Sequence, residues 1–80
     1  MKKLKIGIIG MGMAFERLHY PAFQKLNDKF EVAAICDEHV EKAKNWQETL
    51  NLSSNDIFDD YHKILKRDDI DAFDLLVPIE

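Results

Sequence analysis

Residues 4–10 are almost continuously apolar and rich in isoleucine, a pattern that suits a strand covered on both faces, as parallel sheets require. Gly10-Met11-Gly12 ends this run abruptly. Across residues 14–26, Phe15, Leu18, Ala22 and Leu26 recur at spacings of three and four, which predicts a helix with one buried stripe. Pro21 stands inside that stretch. It has no amide hydrogen and its ring crowds the preceding turn, so it kinks the helix or opens a second segment. Asn27-Asp28-Lys29 reads as a turn.

Residues 31–36 form a second apolar run, closed by Asp37. Helical spacing then resumes with Val40, Ala43, Trp46 and Leu50 under a charged outer face. Residues 51–55 are polar and turn-like, and Ile57-Phe58 is a minimal strand. Asp59 stands where it would cap a third helix burying Tyr61, Ile64 and Leu65. Residues 72–77 make the fourth strand, punctuated by Pro78.

Strands and helices thus alternate as β-α-β-α-β-α-β, with connections that make each helix a crossover. This predicts an α/β fold: a Rossmann-type parallel sheet, incomplete, corresponding to the first half of a dinucleotide-binding domain. The expected strand order is 3-2-1-4, with a ligand crevice between the first and fourth strands.

Gly10-Met11-Gly12 falls between a strand and a helical pattern, where a dinucleotide fingerprint belongs. The first glycine permits a tight turn, and the second lets the backbone approach a diphosphate with no side chain between them. Amides at a helix start, with its dipole, would hold the negative charge. The third glycine position of the fingerprint is Phe15, so the helix is tilted away or starts later. Gly7, inside the strand, leaves room for a neighbour to approach closely. Asp37 ends the second strand, where a carboxylate accepts hydrogen bonds from ribose hydroxyls. The same residue type also caps helices, and one side chain can serve both purposes. Asp37 and Glu38 repel a 2′-phosphate and no arginine follows nearby, which favours NAD. NADP is the second option, with His39 or Lys42 able to swing toward its extra phosphate. Pro78 would bring backbone near the nicotinamide half, or simply ends its strand.

Composition narrows the classes. The 80 residues carry a formal charge of −4, which offers no polyanion-binding surface and argues against a nucleic-acid partner. That charge also means that any phosphate must be gripped by oriented backbone dipoles. A chain this short buries only about 60% of its unfolded surface, so marginal stability is expected. No apolar run approaches the roughly 20 residues that cross a bilayer, and the glycines break the start of the chain too early for a secretory signal. The expectation is a cytoplasmic protein with no membrane partner.

Other reactive side chains have plainer readings. Cys36 has no second thiol to pair with and lies in a buried strand, as an inert residue. The histidines at 19, 39 and 62 lack metal-ligand spacing. His19 reads as a packed, hydrogen-bonding residue that orders the glycine turn, and the other two as surface residues. Trp46 reads as core. Asp56, Asp59, Asp60, Asp68, Asp69, Asp71 and Asp74 read as caps and solvated turns.

The order of motifs resembles a known family. Residues 5–12, Lys-Ile-Gly-Ile-Ile-Gly-Met-Gly, followed by His19-Tyr20-Pro21-Ala22-Phe23, are similar to the opening of Gfo/Idh/MocA oxidoreductases, in which a His-x-Pro commonly follows the glycine turn. Val32-Ala33-Ala34-Ile35-Cys36-Asp37 and Glu41-Lys42-Ala43 resemble that family's second strand and helix. Asp59-Asp60-Tyr61 and Asp69-Ile70-Asp71-Ala72 resemble its approach to the fourth strand. The resemblance implies the NAD(P)-binding part of an oxidoreductase acting on a sugar, polyol or related alcohol. Gly10, Gly12, Asp37 and Pro78 would be cofactor contacts, and Met11 and Met13 would contribute backbone amides. It also implies a C-terminal substrate domain carrying a Glu-Lys-Pro segment and an active-site histidine. Neither occurs in these residues, so no catalytic residue is expected within 1–80 and a small-molecule substrate belongs to a longer protein. The exposed fourth strand would then self-associate, or the chain is a fragment of a longer polypeptide. A non-catalytic NAD-binding sensor of the same family is the alternative. An S-adenosylmethionine-dependent methyltransferase fragment ranks lower, because Ile8-Ile9 and Met13 supply neither the acidic residue before the turn nor a third close glycine.

Overall fold

The computed structural model describes residues 3–12 and 15–75. Its strands are β1 (Leu4–Ile9), β2 (Phe30–Cys36), β3 (Ile57–Phe58) and β4 (Ala72–Leu75). Its α-helices are α1 (Tyr20–Lys25), α2 (Val40–Gln47) and α3 (Tyr61–Ile64). The strands form one parallel sheet in the order β3-β2-β1-β4, the arrangement expected for the first half of a doubly wound domain. β1 is paired on both sides and is correspondingly apolar. Between Ile6 and Gly7 the pairing with β2 skips one residue, Ala33, which forms a bulge.

Each face of the sheet has its own core. On one, Ile6, Ile8 and Ile35 pack with Met11, Phe15 and Ala43, flanked by Tyr20, Phe23, Trp46 and Leu50. On the other, Ile9, Ala34, Cys36 and Ile64 pack with Phe58, Ile70 and Phe73. The second core includes the close approach anticipated at Gly7: a β-carbon placed there would lie 2.8 Å from the Phe73 ring. Gly7 and Phe73 are register partners on adjacent strands, so the ring occupies the space that a side chain on β1 would fill.

The helix expected over residues 14–26 forms differently. Phe15–His19 is a π-helical turn, and the regular helix begins only at Tyr20, with Pro21 in its first turn, where a missing amide costs nothing. The wider turn changes which side chains face inward. Phe15 is fully buried and Tyr20 and Phe23 pack on the core, whereas Leu18 is 69% exposed and Ala22 and Leu26 face outward. A 3.6-residue stripe requires one continuous α-helix, and the π turn with proline breaks that periodicity.

The stripe on α2 is as expected, with Ala43 buried and Val40, Trp46 and Leu50 half-buried. The turn after α2 closes at Asn51, whose φ is 57°, and the amides of Asn51 and Leu52 return to the carbonyls of Glu48 and Gln47. This is a Schellman closure with asparagine in the position that usually takes glycine. In α3 the cap is Asp60, not Asp59: its Oδ1 accepts the His62 amide at 2.9 Å. Of the residues expected beneath α3, only Ile64 is buried; Tyr61 and Leu65 are exposed because the helix is a single turn. The loop that leads into β4 is held by Arg67. Its guanidinium donates to both oxygens of Asp69 at 2.7 Å and to Asp56 at 3.0 Å, and so it ties this loop to the turn before β3. No helix among the described residues is long and apolar enough to cross a membrane.

Candidate functional site

The glycine turn leaves β1 at the C-terminal edge of the sheet. Gly10 has a φ of 100°, a conformation that side chains resist, and its amide donates to the Cys36 carbonyl at 2.8 Å. This bond carries the pairing with β2 one residue past β1 and sets the direction in which the turn departs. Met11 then sends its side chain into the core beneath α1 and α2, where it is buried against neighbours that include Phe15. Gly12 is different: among the described residues, a β-carbon placed on it would meet nothing within 4 Å. The space beside Gly12 is open, as a backbone that must approach a bulky anion requires.

The aromatic ring at position 15 does not plug that space. It turns inward, edge-on to Trp46 with ring centroids 5.0 Å apart, and also packs against Tyr20 at 6.0 Å. A large residue at the third fingerprint position is thus accommodated inward, as the fully buried first residue of the π turn. Among the described residues, the π turn precedes the first α-helical residue, Tyr20.

Asp37 completes the site from β2. The residue is only 9% exposed, and both its oxygens are engaged. Oδ2 accepts the Met11 amide at 2.8 Å and Oδ1 accepts the His39 amide at 2.8 Å. The bond to His39 is a local turn two residues on. Asp37 leads the chain into α2 without being its cap, because the residue preceding the helix is His39. The bond to Met11 joins the carboxylate to the glycine turn itself. An ionised carboxylate has about four acceptor positions, so two amides leave capacity for hydroxyl donors. Glu38 beside it is exposed, and its carboxylate is 3.8 Å from His39 Nε2. Of the other candidates, Met13 and Pro78 lie outside the described residues.

Cys36, adjacent to Asp37, is buried. Desolvation, reinforced by the negative charges of Asp37, Asp60 and Asp59, pushes its thiol up to about 11. It is a packing residue. No group of three or more His, Cys, Asp or Glu side chains among the described residues could hold a metal ion. A concavity of about 530 Å³ lies at the opposite end of the sheet, by Lys5, Phe30, Asn51 and Arg67. It includes neither glycine turn nor Asp37, and its guanidinium is already committed to Asp56 and Asp69.

One constellation was not anticipated. Asp74 lies in β4, not in a solvated turn, and its Oδ2 is 2.6 Å from His19 Nδ1 at the end of the π turn. The local signal was present in the sequence as a single carboxylate inside an otherwise apolar strand, which needs a partner on the face it enters. Its partner stands 55 residues away, beyond the reach of any local pattern.

Comparison with known proteins agrees with this geometry. Residues 4–79 match the model of an oxidoreductase family with an NAD-binding Rossmann fold, Gfo/Idh/MocA. The uncharacterised protein YMR315W of Saccharomyces cerevisiae is 31% identical over 80 residues, which cover the whole of this chain and 23% of that protein. An oxidoreductase from Thermotoga maritima superposes with a TM-score of 0.89 at 32% identity, over 99% of this chain and 24% of its own. A mutant of KijD10, a 3-ketoreductase from Actinomadura kijaniata solved with TDP-benzene and NADP, superposes with a TM-score of 0.82 at 27% identity, over 96% of this chain and 23% of that one. The chain therefore spans about a quarter of the length of these relatives. With the family's strand order, its glycine turn and a model match across nearly every residue, this chain belongs to the Gfo/Idh/MocA oxidoreductases and carries their NAD-binding Rossmann fold.

Proposed function

We propose that this chain holds the dinucleotide of an oxidoreductase that uses NAD and acts on a sugar, polyol or related alcohol. Residues 1–80 would serve as part of the dinucleotide-binding domain, with substrate recognition supplied elsewhere. The observation that carries the reading is the pairing of open space beside Gly12 with a carboxylate, Asp37, bonded to the same turn. Backbone beside Gly12 meets the diphosphate, and the free acceptor positions of Asp37 take the adjacent ribose hydroxyls. Met11 keeps its amide on Asp37 and so shapes the turn. When bound, the cofactor would supply hydride transfer at its nicotinamide carbon; these residues bind and orient it. Met13 would add a backbone amide at the turn, and Pro78 would border the nicotinamide half.

The preference for NAD rests on charge. A 2′-phosphate would meet the buried Asp37 carboxylate and the neighbouring Glu38, with no arginine close by in sequence to offset them. Titration with NADH and NADPH, followed by energy transfer from Trp46, tests both statements. NADH is expected to give a saturable signal at lower concentration than NADPH. A folded protein by circular dichroism with no saturable signal from either cofactor overturns the site, and tighter binding of NADPH overturns the preference.

A further inference from the structure

Among the described residues, the His19–Asp74 pair is a titratable cluster that the cofactor reading leaves without a role. Asp74 is the register partner of Ile8, so it enters the same face of the sheet as the fully buried Ile8, which packs with Met11 and Phe15. The two side chains are 34% and 25% exposed, and the 2.6 Å separation is that of a strong, charge-assisted hydrogen bond. An ionised carboxylate only accepts, so Nδ1 of His19 donates and Nε2 is left as the free ring nitrogen.

The position of the pair explains what it can do. The π turn is anchored at its start by the Phe15 ring against Trp46 on α2, and at its end by His19 on β4. The segment reaches back to the glycine turn through the Glu16 amide, which donates to the Gly12 carbonyl at 3.3 Å, and through the Phe15 ring, which shares a core with Met11. A π turn is a rare departure from the α-helix and is found frequently at functional sites. Relaxation to the ordinary helical pattern would rotate His19 about the helix axis relative to Phe15, so both anchors could not persist. Asp74 thus favours the π turn, whose Glu16 amide bonds the Gly12 carbonyl.

We propose that His19 and Asp74 are a positioning pair that holds the π turn, and through it the glycine turn, in the shape that receives the diphosphate. This rests on the cofactor reading above. It assigns neither residue a contact with the cofactor. The pair is therefore read in affinity for the diphosphate portion, while adenosine recognition through Asp37 on β2 is untouched.

The test uses the whole protein with ADP-ribose and adenosine as probes, the second lacking the diphosphate. His19→Leu and Asp74→Leu are each expected to weaken ADP-ribose by about tenfold, the scale of one charge-assisted hydrogen bond, with adenosine affinity unchanged. The double variant is expected to be no worse than either single one. Asp74→Asn keeps an acceptor for Nδ1 and is expected to retain most of the ADP-ribose affinity. In the unsubstituted protein, ¹⁵N spectra of the His19 ring should show the Nδ1-protonated form and shift with ADP-ribose but not with adenosine, a readout that does not depend on any variant folding. ADP-ribose binding that is equal in folded variants and parent, equal losses for both probes, or a His19 ring indifferent to ADP-ribose overturns the pairing role while leaving the cofactor reading intact. A parent protein that binds neither probe overturns the cofactor reading, and this inference with it.

Discussion

The carboxylate of Asp37 accepts the Met11 amide through Oδ2 and the His39 amide through Oδ1, both at 2.8 Å, so one buried side chain joins the turn after β1 to the entry of α2. The two amides come from segments that are 26 and two residues away, and neither has another acceptor in the hydrogen bonds described. Asp37→Ala leaves both donors without that acceptor, at about 1–3 kcal/mol for each one that stays buried. For a domain of this size each kcal/mol lowers Tm by roughly 4–8 °C. Thermal unfolding by circular dichroism should therefore show a clear drop for Asp37→Ala and a smaller one for Asp37→Asn, which retains one acceptor oxygen. NADH affinity should fall in both variants. An unchanged Tm for Asp37→Ala would mean that the carboxylate does not hold the turn.

Gly7 and Phe73 make a second, purely steric test. With the ring 2.8 Å from where a β-carbon would stand, Gly7→Ala forces Phe73 or β4 to move, at about 1–3 kcal/mol. The ring is half-buried and next to Ile70, so it has some freedom to yield, and the cost should fall toward the lower end. Urea unfolding measures it. Pairing Gly7→Ala with Phe73→Leu should recover part of the loss, because the shorter side chain vacates the contested space. Equal midpoints for Gly7→Ala and the parent would remove the ring from that position.

How much of this was legible in the sequence depends on the range of the interaction involved. β1, β2 and the α2 stripe follow from local periodicity, and the strand order follows from short crossovers between parallel strands; all are as the chain pattern indicated. Asp37 was visible as a carboxylate at the end of a strand, yet its bond to Met11 depends on how β1 and β2 align. Residues 14–26 misled because Phe15, Leu18, Ala22 and Leu26 fit an α-helical period by coincidence. The inward face is instead set by the π turn, which no periodicity announces. α3 misled for a different reason: one helical turn is too short to bury three side chains, and only Ile64 reaches the core. The His19–Asp74 pair was invisible because the sheet alone brings those residues together.

Acid should loosen the loop before β4. The guanidinium of Arg67 holds the Asp69 carboxyl at about 2, below its ordinary 3.8, chiefly through their hydrogen bonds. The folded state therefore binds this proton less readily than the unfolded chain. The contribution is complete above pH 4 or so and is lost as the pH falls from there toward 2. Stability followed from pH 6 to pH 2 should decline less steeply for Asp69→Asn than for the parent, with the two curves converging at the acid end. Parallel curves would show that Asp69 takes no part in the acid response.

Cys36 makes the opposite prediction at alkaline pH. Buried between Ala34 and Asp37 at the end of β2, its thiol is pushed from an ordinary 9.0 to about 11 by desolvation and then by the carboxylates around it. Between those values the unfolded chain gives up the proton while the folded one keeps it, so stability falls as the pH rises through this window. At pH 8 the thiolate needed for alkylation is scarce and shielded, and iodoacetamide should label the native protein far more slowly than the protein in urea. Cys36→Ala should remove the steepness of the alkaline decline at the modest cost of a small cavity, whereas Cys36→Ser adds a hydroxyl that must find a partner and should cost about 1–3 kcal/mol. Native labelling as fast as labelling in urea would place the sulfur at the surface and undo the packing described for this face of the sheet.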